Sequence, residues 1–314
     1  MKPDILIIAE APQLLDLLAG KFALHRLSQY ADPSACFAAV GDRVRGIVTF
    51  SGGFGPMIDR AVLERLPKLE IIANLGAGHE SVDIEAAHTR GVIVTNAGGS
   101  NAVDVAELAF GLLLDAGRRI SAGDRFVREG RWETGRMPSV RRLSGRPLGI
   151  LGLGHIGLAI AKRAEAFDMP VSYHNRRPRT DVSYPYVSSP LALAEAVDFL
   201  VVALPGGAET HHLIGRTILD ALGPDGVIVN IGRGTIIDEV ALIAALAEGR
   251  LGAAGLDVFE NEPHVPPALA ALPNVVLTPH HGGATPEGIK AILDQALANL
   301  DAHFAGRPVL SAVT

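Results

Sequence analysis

Ten short apolar runs punctuate the chain, and most are β-branched or Leu-rich without polar alternation. They are Ile5–Ala9, Gly46–Phe50, Glu70–Asn74, Val92–Thr95, Leu148–Gly152, Val171–His174, Phe199–Ala203, Val227–Asn230, Ala254–Val258 and Val275–Thr278. Continuous apolarity over so few residues marks strands covered on both faces, as in parallel sheets. Between them lie segments of helical length and spacing, among them Gln13–Gly20, Gly157–Phe167, Pro190–Ala196 and Asp238–Glu248. Strand–helix–strand order with short connections predicts an α/β fold built from right-handed crossovers. At 314 residues the chain has the length of about two domains.

Gly-Val-Ile-Val-Thr-Asn at 91–96 and Gly-Val-Ile-Val-Asn-Ile at 226–231 look alike. This reads as the same strand physics used in two separate sheets, not as a repeat. Between these sheets lies Ser100–Ala116, dense in Ala, Leu, Phe and Val. Asn101 is expected to cap that helix, with Asp104 in its first turn. A helix so apolar around its circumference is expected to be buried on several sides, between domains or between subunits. Arg136–Arg142 is expected to be the mobile connector of the chain.

Several function classes are disfavoured. Mean hydropathy is high at +0.27, yet charges such as Asp198 interrupt every apolar stretch well short of the ~20 residues of a membrane span. The opening residues hold too short an apolar run for a secretory signal. Cys36 is the only cysteine, which suits a reducing, cytoplasmic compartment. A net charge of −6 argues against nucleic-acid binding, which rests on neutralising phosphates.

The strongest local signal is Gly152-Leu-Gly154-His155-Ile156-Gly157, directly after an apolar run and opening an Ala-rich helix. In such a turn the first glycine permits the tight bend and the second lets the backbone approach a pyrophosphate. The third allows close helix–strand packing, and the helix N-terminus faces the phosphates. Dinucleotide binding follows. An NAD site would place Asp or Glu at the end of the next strand to hold the ribose 2′-hydroxyl. Here the strand ends His174-Asn175-Arg176-Arg177. Asn175 does not repel a 2′-phosphate, and Arg176 and Arg177 offer planar, charge-assisted donors. NADP(H) is therefore expected over NAD(H), with NAD(H) as the alternative.

Three polar residues follow later strands: Arg233 in Asn230-Ile-Gly-Arg-Gly234, Glu262 in Gly255–Pro263, and His280 in Thr278-Pro-His-His-Gly. Ligands of open α/β sheets bind at the carboxyl ends of the strands, so these loops should converge on the cofactor. Carbonyl reduction needs a cation to polarise the carbonyl and hold an adjacent carboxylate, and an imidazole to donate a proton. A carboxylate beside the ring orients it. No metal is called for.

With these blocks the chain resembles the D-isomer-specific 2-hydroxyacid dehydrogenases, nearest to their glyoxylate/hydroxypyruvate reductase branch. The matching segments also include Asn74–Asp83, Asn101–Glu107 and Pro279–Thr285, so the resemblance spans nearly the whole chain. It implies two Rossmann- or flavodoxin-like parallel-sheet domains with a cleft between them. Residues 1–97 and 285–314 would form the substrate domain, and 98–284 the dinucleotide-binding domain. Arg233, Glu262 and His280 match the family's catalytic residues. Ala77 and Gly78 match its substrate-carboxylate loop, which would act with Arg233 and His280. The implied cofactor set is Gly152, Gly154, His155, Ile156, Gly157, Asn175, Arg176, Arg177, Leu204, Pro205, Ile231, Gly232 and Asp257. The implied reaction is reduction of a small 2-oxo acid to the D-2-hydroxy acid by hydride transfer from NADPH.

Departures bear on substrate size. His79 stands where the family often has Tyr and Glu80 where it often has Asp. His281 and Gly283 replace a small apolar residue and a common Ser. The Pro279–His280 step assigns the catalytic role to His280, not His281. Trp132 matches a residue that shapes the substrate pocket, sometimes from a neighbouring subunit, or it packs in a dimer arm. A homodimer is expected in either case, with Ser100–Phe126 as the interface. Two other functions fit the same fold: a non-catalytic dinucleotide-sensing regulator and an NAD-dependent D-lactate-type dehydrogenase.

Overall fold

Two parallel sheets organise the chain, one in each of two units. The computed structural model describes residues 2–10, 12–50 and 56–313. Residues 1–101 with 285–314 form the first unit and 102–284 the second.

The first unit holds β1 (Asp4–Ile7), β2 (Ala23–Arg26), β3 (Val44–Phe50), β4 (Ile71–Leu75) and β5 (Ile93–Thr95), in the order β2-β1-β3-β4-β5. Successive residues of β1 enter opposite cores: Ile5 and Ile7 on one face, Leu6 on the other. Such double-sided burial explains the apolarity without alternation. The helix Pro286–Phe304 returns to this unit, with Leu293, Ala296 and Leu300 buried against the Ile5–Ile7 face. Thr285 caps it through its side chain to the Gly288 N–H at 2.8 Å.

The second unit holds β6 (Leu148–Leu151), β7 (Val171–His174), β8 (Phe199–Val202), β9 (Val227–Asn230), β10 (Ala253–Leu256) and β11 (Val275–Leu277). Their order is β11-β10-β9-β8-β6-β7. Beyond β7 the chain adds one more parallel contact. The Tyr173 N–H donates to Pro185 O at 3.0 Å and the Val187 N–H to Tyr173 O at 2.8 Å. Counting this fragment, the sheet has the dinucleotide-fold order 3-2-1-4-5-6 with one further strand, and its topological switch point lies between β6 and β8.

The helix Ala102–Arg118 buries Val105, Ala109, Phe110, Leu112, Leu113 and Ala116 within the second unit. Phe110 meets Phe167 with ring centroids 4.9 Å apart. Asp104 lies in its first turn, but the expected Asn101 cap is corrected. Asn101 Oδ1 is buried and accepts no hydrogen bond. A preceding turn, closed by the Ser100 N–H on Ala97 O at 2.9 Å, already coils the chain as it enters the helix. A capping side chain instead requires an extended residue that aims at the first-turn N–H groups. Residues 136–142 are irregular and largely exposed. Among the described residues no helix is long and apolar enough to cross a membrane.

Candidate active site

At the switch point each motif glycine has its own steric reason. Gly152 has φ +98°, and a Cβ there would lie 2.7 Å from Ala203 O, at the end of β8. A Cβ on Gly157 would lie 2.2 Å from Gly152 O, so helix and turn could not close together. At Gly154, by contrast, a Cβ would meet nothing within 4 Å. Gly154 directly precedes the helix His155–Glu165, so its open side is where an anion can approach the helix N-terminus. The turn thus fits a dinucleotide pyrophosphate. His155 is exposed and Ile156 half-buried.

Beside this turn, Asn175 Oδ1 accepts the Leu153 N–H at 2.7 Å. Arg176 pairs with Glu209 at 3.0 Å, both strongly exposed, at 88% and 76%; Arg177 is also exposed. Sequence reasoning missed Arg179. Its guanidinium donates to Leu153 O at 2.7 Å and clasps Asp181 through Nε at 2.9 Å, while its backbone N–H donates to the Tyr173 hydroxyl at 2.8 Å. No spacing rule marks a residue two positions beyond the expected pair, past Pro178.

The catalytic candidates meet at the ends of β9, β10 and β11. Asn230, 1% exposed, shapes the first loop: Oδ1 accepts the Gly232 N–H at 3.0 Å and Nδ2 donates to Arg233 O at 2.9 Å. A Cβ on Gly234 would lie 1.8 Å from the backbone carbon of Phe259. This close approach packs the Arg233 loop against the loop that carries Glu262. A Cβ on Gly232 would similarly lie 2.5 Å from Leu204 O. Ile231 is buried, Leu204 half-buried and Pro205 exposed.

Glu262 Oε2 pairs with His280 Nδ1 at 2.7 Å, and Oε1 accepts the Phe259 N–H at 3.0 Å. Burial pushes the Glu262 carboxyl up. The hydrogen bonds from His280 and Phe259, with the charges of His280 and Arg233, outweigh burial and hold it below the usual carboxylate range. His280 has φ +51°, a conformation non-glycine residues rarely adopt. Its N–H donates to Asp257 O at 2.8 Å.

Asp257 anchors this loop. At 2% exposure its carboxylate accepts the Thr278 hydroxyl at 2.6 Å, the His281 N–H at 2.7 Å and the Gly282 N–H at 2.9 Å. Three donors on either side of His280 therefore converge on one buried charge. Sequence reading made Asp257 a cofactor residue and did not foresee this positioning role.

In the first unit, Ala77 and Gly78 follow β4. Asn96 Nδ2 donates to Ala77 O at 2.9 Å, and Asn74 Nδ2 donates to Gly78 O. Because C=O and N–H of a planar trans peptide point apart, holding both carbonyls aims the Gly78 and His79 N–H groups the opposite way. His79 Nδ1 is buried with no hydrogen-bond partner.

Known proteins match this architecture. Residues 110–282 match the family described as D-isomer specific 2-hydroxyacid dehydrogenase, NAD binding domain. The chain belongs to the D-isomer-specific 2-hydroxyacid dehydrogenases. It is an oxidoreductase of that family. It is 47% identical over 296 residues to hydroxyphenylpyruvate reductase of Plectranthus scutellarioides, covering 94% of each chain. A glyoxylate/hydroxypyruvate reductase A of Arabidopsis thaliana is 43% identical over 296 residues, again covering 94% of each. Among solved structures, NADPH-dependent glyoxylate/hydroxypyruvate reductase from Sinorhizobium meliloti, in complex with NADP and malonate, superposes with a TM-score of 0.91. It is 39% identical, and the match covers 100% of this chain and 97% of that one.

Proposed function

We propose that this protein reduces a small 2-oxo acid of the glyoxylate or hydroxypyruvate kind to the D-2-hydroxy acid with NADPH. The observation that carries the reading is the His280 Nδ1–Glu262 pair at 2.7 Å, with the Arg233 charge acting on the same carboxylate. The bound nicotinamide supplies the hydride to the carbonyl carbon. Glu262 fixes the imidazole through Nδ1, so Nε2 is the atom that hands a proton to the carbonyl oxygen. Arg233 polarises that carbonyl and holds the neighbouring carboxylate in a charge-assisted fork. Asp257 positions His280 from beneath.

Three observations support NADPH. No carboxylate ends β7, Asn175 is turned toward the Leu153 N–H, and the Arg176 side chain pairs with the exposed Glu209. Exposed pairs are worth ~0–1 kcal/mol, so Arg176 is readily released to a 2′-phosphate. The Sinorhizobium relative, itself NADPH-dependent, was solved with NADP. A homodimer is part of the reading: Val103, Ile120, Val127 and Trp132 are 54–59% exposed along one stretch of the second unit. These exposed apolar side chains fit an association surface there if they form one patch. The buried, free Cys36 suits the cytoplasm.

The test is a panel of 2-oxo acids, including glyoxylate, hydroxypyruvate, pyruvate and 4-hydroxyphenylpyruvate, each assayed with NADPH and NADH by nicotinamide absorbance. The reading expects the highest kcat/KM for the small polar acids with NADPH. Preference for the aromatic acid would align the chain with the Plectranthus enzyme's name. Tight NADPH binding without turnover of any acid would favour a regulator instead.

A further inference from the structure

The loops after β8 and β10 also bring together side chains that the reduction chemistry does not use. His211 and His212 follow β8 and Glu260 follows β10, and one ligand atom from each lies within 4.8 Å of the other two. Neighbouring side chains on extended backbone point to opposite sides. Here His212 has φ +48°, and the turn stacks the two imidazoles with centroids 4.0 Å apart and planes 27° apart. Both loops are pinned. The His212 N–H donates to Thr235 O at 2.8 Å, and the Glu260 N–H donates to Glu239 Oε1 at 2.9 Å. His212 Nε2 already meets Glu260 Oε1 at 2.8 Å. The histidines are exposed and the glutamate half-buried, so a solute can reach them.

We propose that His211, His212 and Glu260 form a binding site for a divalent transition-metal cation of the zinc class. Two imidazoles and one carboxylate are the donor set of three-ligand zinc sites that keep a position for water. Calcium and magnesium prefer all-oxygen shells, so two nitrogen donors disfavour them. Around a tetrahedral zinc with bonds of ~2.1 Å, donor atoms lie ~3.4 Å apart. The three atoms reach that spacing if the His212–Glu260 contact opens and His211 closes in. The bound cation ties the loop after β8 to the loop after β10, across the Thr235 segment that follows Arg233. The sequence did not suggest this site, because its ligands are 48 residues apart and the adjacent histidines fit no metal-ligand spacing.

Untagged protein titrated with zinc chloride in a calorimeter, and with cobalt(II) chloride followed by visible absorption, tests the site. One equivalent of each metal should bind, with cobalt giving the intense visible bands of low-coordinate sites. His211→Gln and Glu260→Gln should each weaken binding by at least the ~10- to 100-fold that loss of even an outer-shell partner costs. Metal-free His211→Gln should keep wild-type turnover, which excludes misfolding as the cause. Absence of binding on the order of 1 mM metal, or equal affinity in wild type and both variants, would overturn the proposal.

Discussion

The turn after β1 and the turn after β6 occupy the same place in their sheets, each at the strand where the order reverses. Their chemistry is opposite. After β6 the chain runs through Gly152, Gly154 and Gly157, and the helix begins at His155, with nothing within 4 Å of a Cβ on Gly154. After β1 comes Glu10, which accepts the Arg26 Nε at 3.0 Å and the Ser28 hydroxyl, and the next helix begins at Pro12. The hydrogen bonds from Arg26 and Ser28 hold the Glu10 carboxyl below its usual range, so the turn is occupied by an ionised carboxylate already paired with Arg26. Proline removes one N–H from the helix start. The first turn thus lacks the open glycine approach and the full set of helix N–H groups that the second offers a phosphate. Equal topology gives two switch points, and turn chemistry decides which of them can hold a nucleotide.

Three variants probe this contrast. The largest effect is expected for Gly152→Val, since its Cβ would enter the end of β8 and left-handed strain alone costs ~1–3 kcal/mol. NADPH titration should show binding lost, with a lower unfolding midpoint; affinity within twofold of wild type would contradict the assignment of this turn. An intermediate effect is expected for Asn175→Asp combined with Arg176→Leu. Loss of a charge-assisted hydrogen bond of ~1.5–3 kcal/mol predicts a ~10- to 100-fold shift of kcat/KM toward NADH. An unchanged NADPH/NADH ratio would remove Arg176 from the 2′-phosphate site. The smallest effect is expected for Glu10→Ala, which should change stability by under ~1 kcal/mol and leave NADPH affinity unaltered. A clear loss of cofactor affinity would break the contrast between the turns.

Much of this was legible in the sequence because it depends on local chemistry. Strands buried on both faces read as apolar runs, and the glycine turn carries its own spacing. β2 escaped because Ala23-Leu-His-Arg26 lies at the sheet edge with every residue half-buried, so it has no apolar signature. The extra strand fragment escaped because Pro185 lacks an N–H and only one bridge forms. The Asn101 cap failed because a side chain's aim depends on the preceding turn. Asp257 was visible as a residue but not as an anchor, since its donors arrive from Thr278, His281 and Gly282, over 20 residues later. Arg233, Glu262 and His280 were found as separate strand-end residues. The Arg233 and Glu262 loops meet through Gly234 packing against Phe259, and Asp257 holds the His280 loop, both of which only the folded chain reveals.

In the proposed reaction His280, held by Glu262, donates the proton while the cofactor binds elsewhere on the same unit. The most direct measurement is His280→Ala, comparing kcat/KM for the preferred 2-oxo acid with the Kd of NADPH by fluorescence titration. A ~10²- to 10⁴-fold loss of kcat/KM, the usual size of a general-acid contribution, is expected, with NADPH Kd nearly unchanged. Turnover near wild type, or loss of NADPH binding in step with activity, would contradict it.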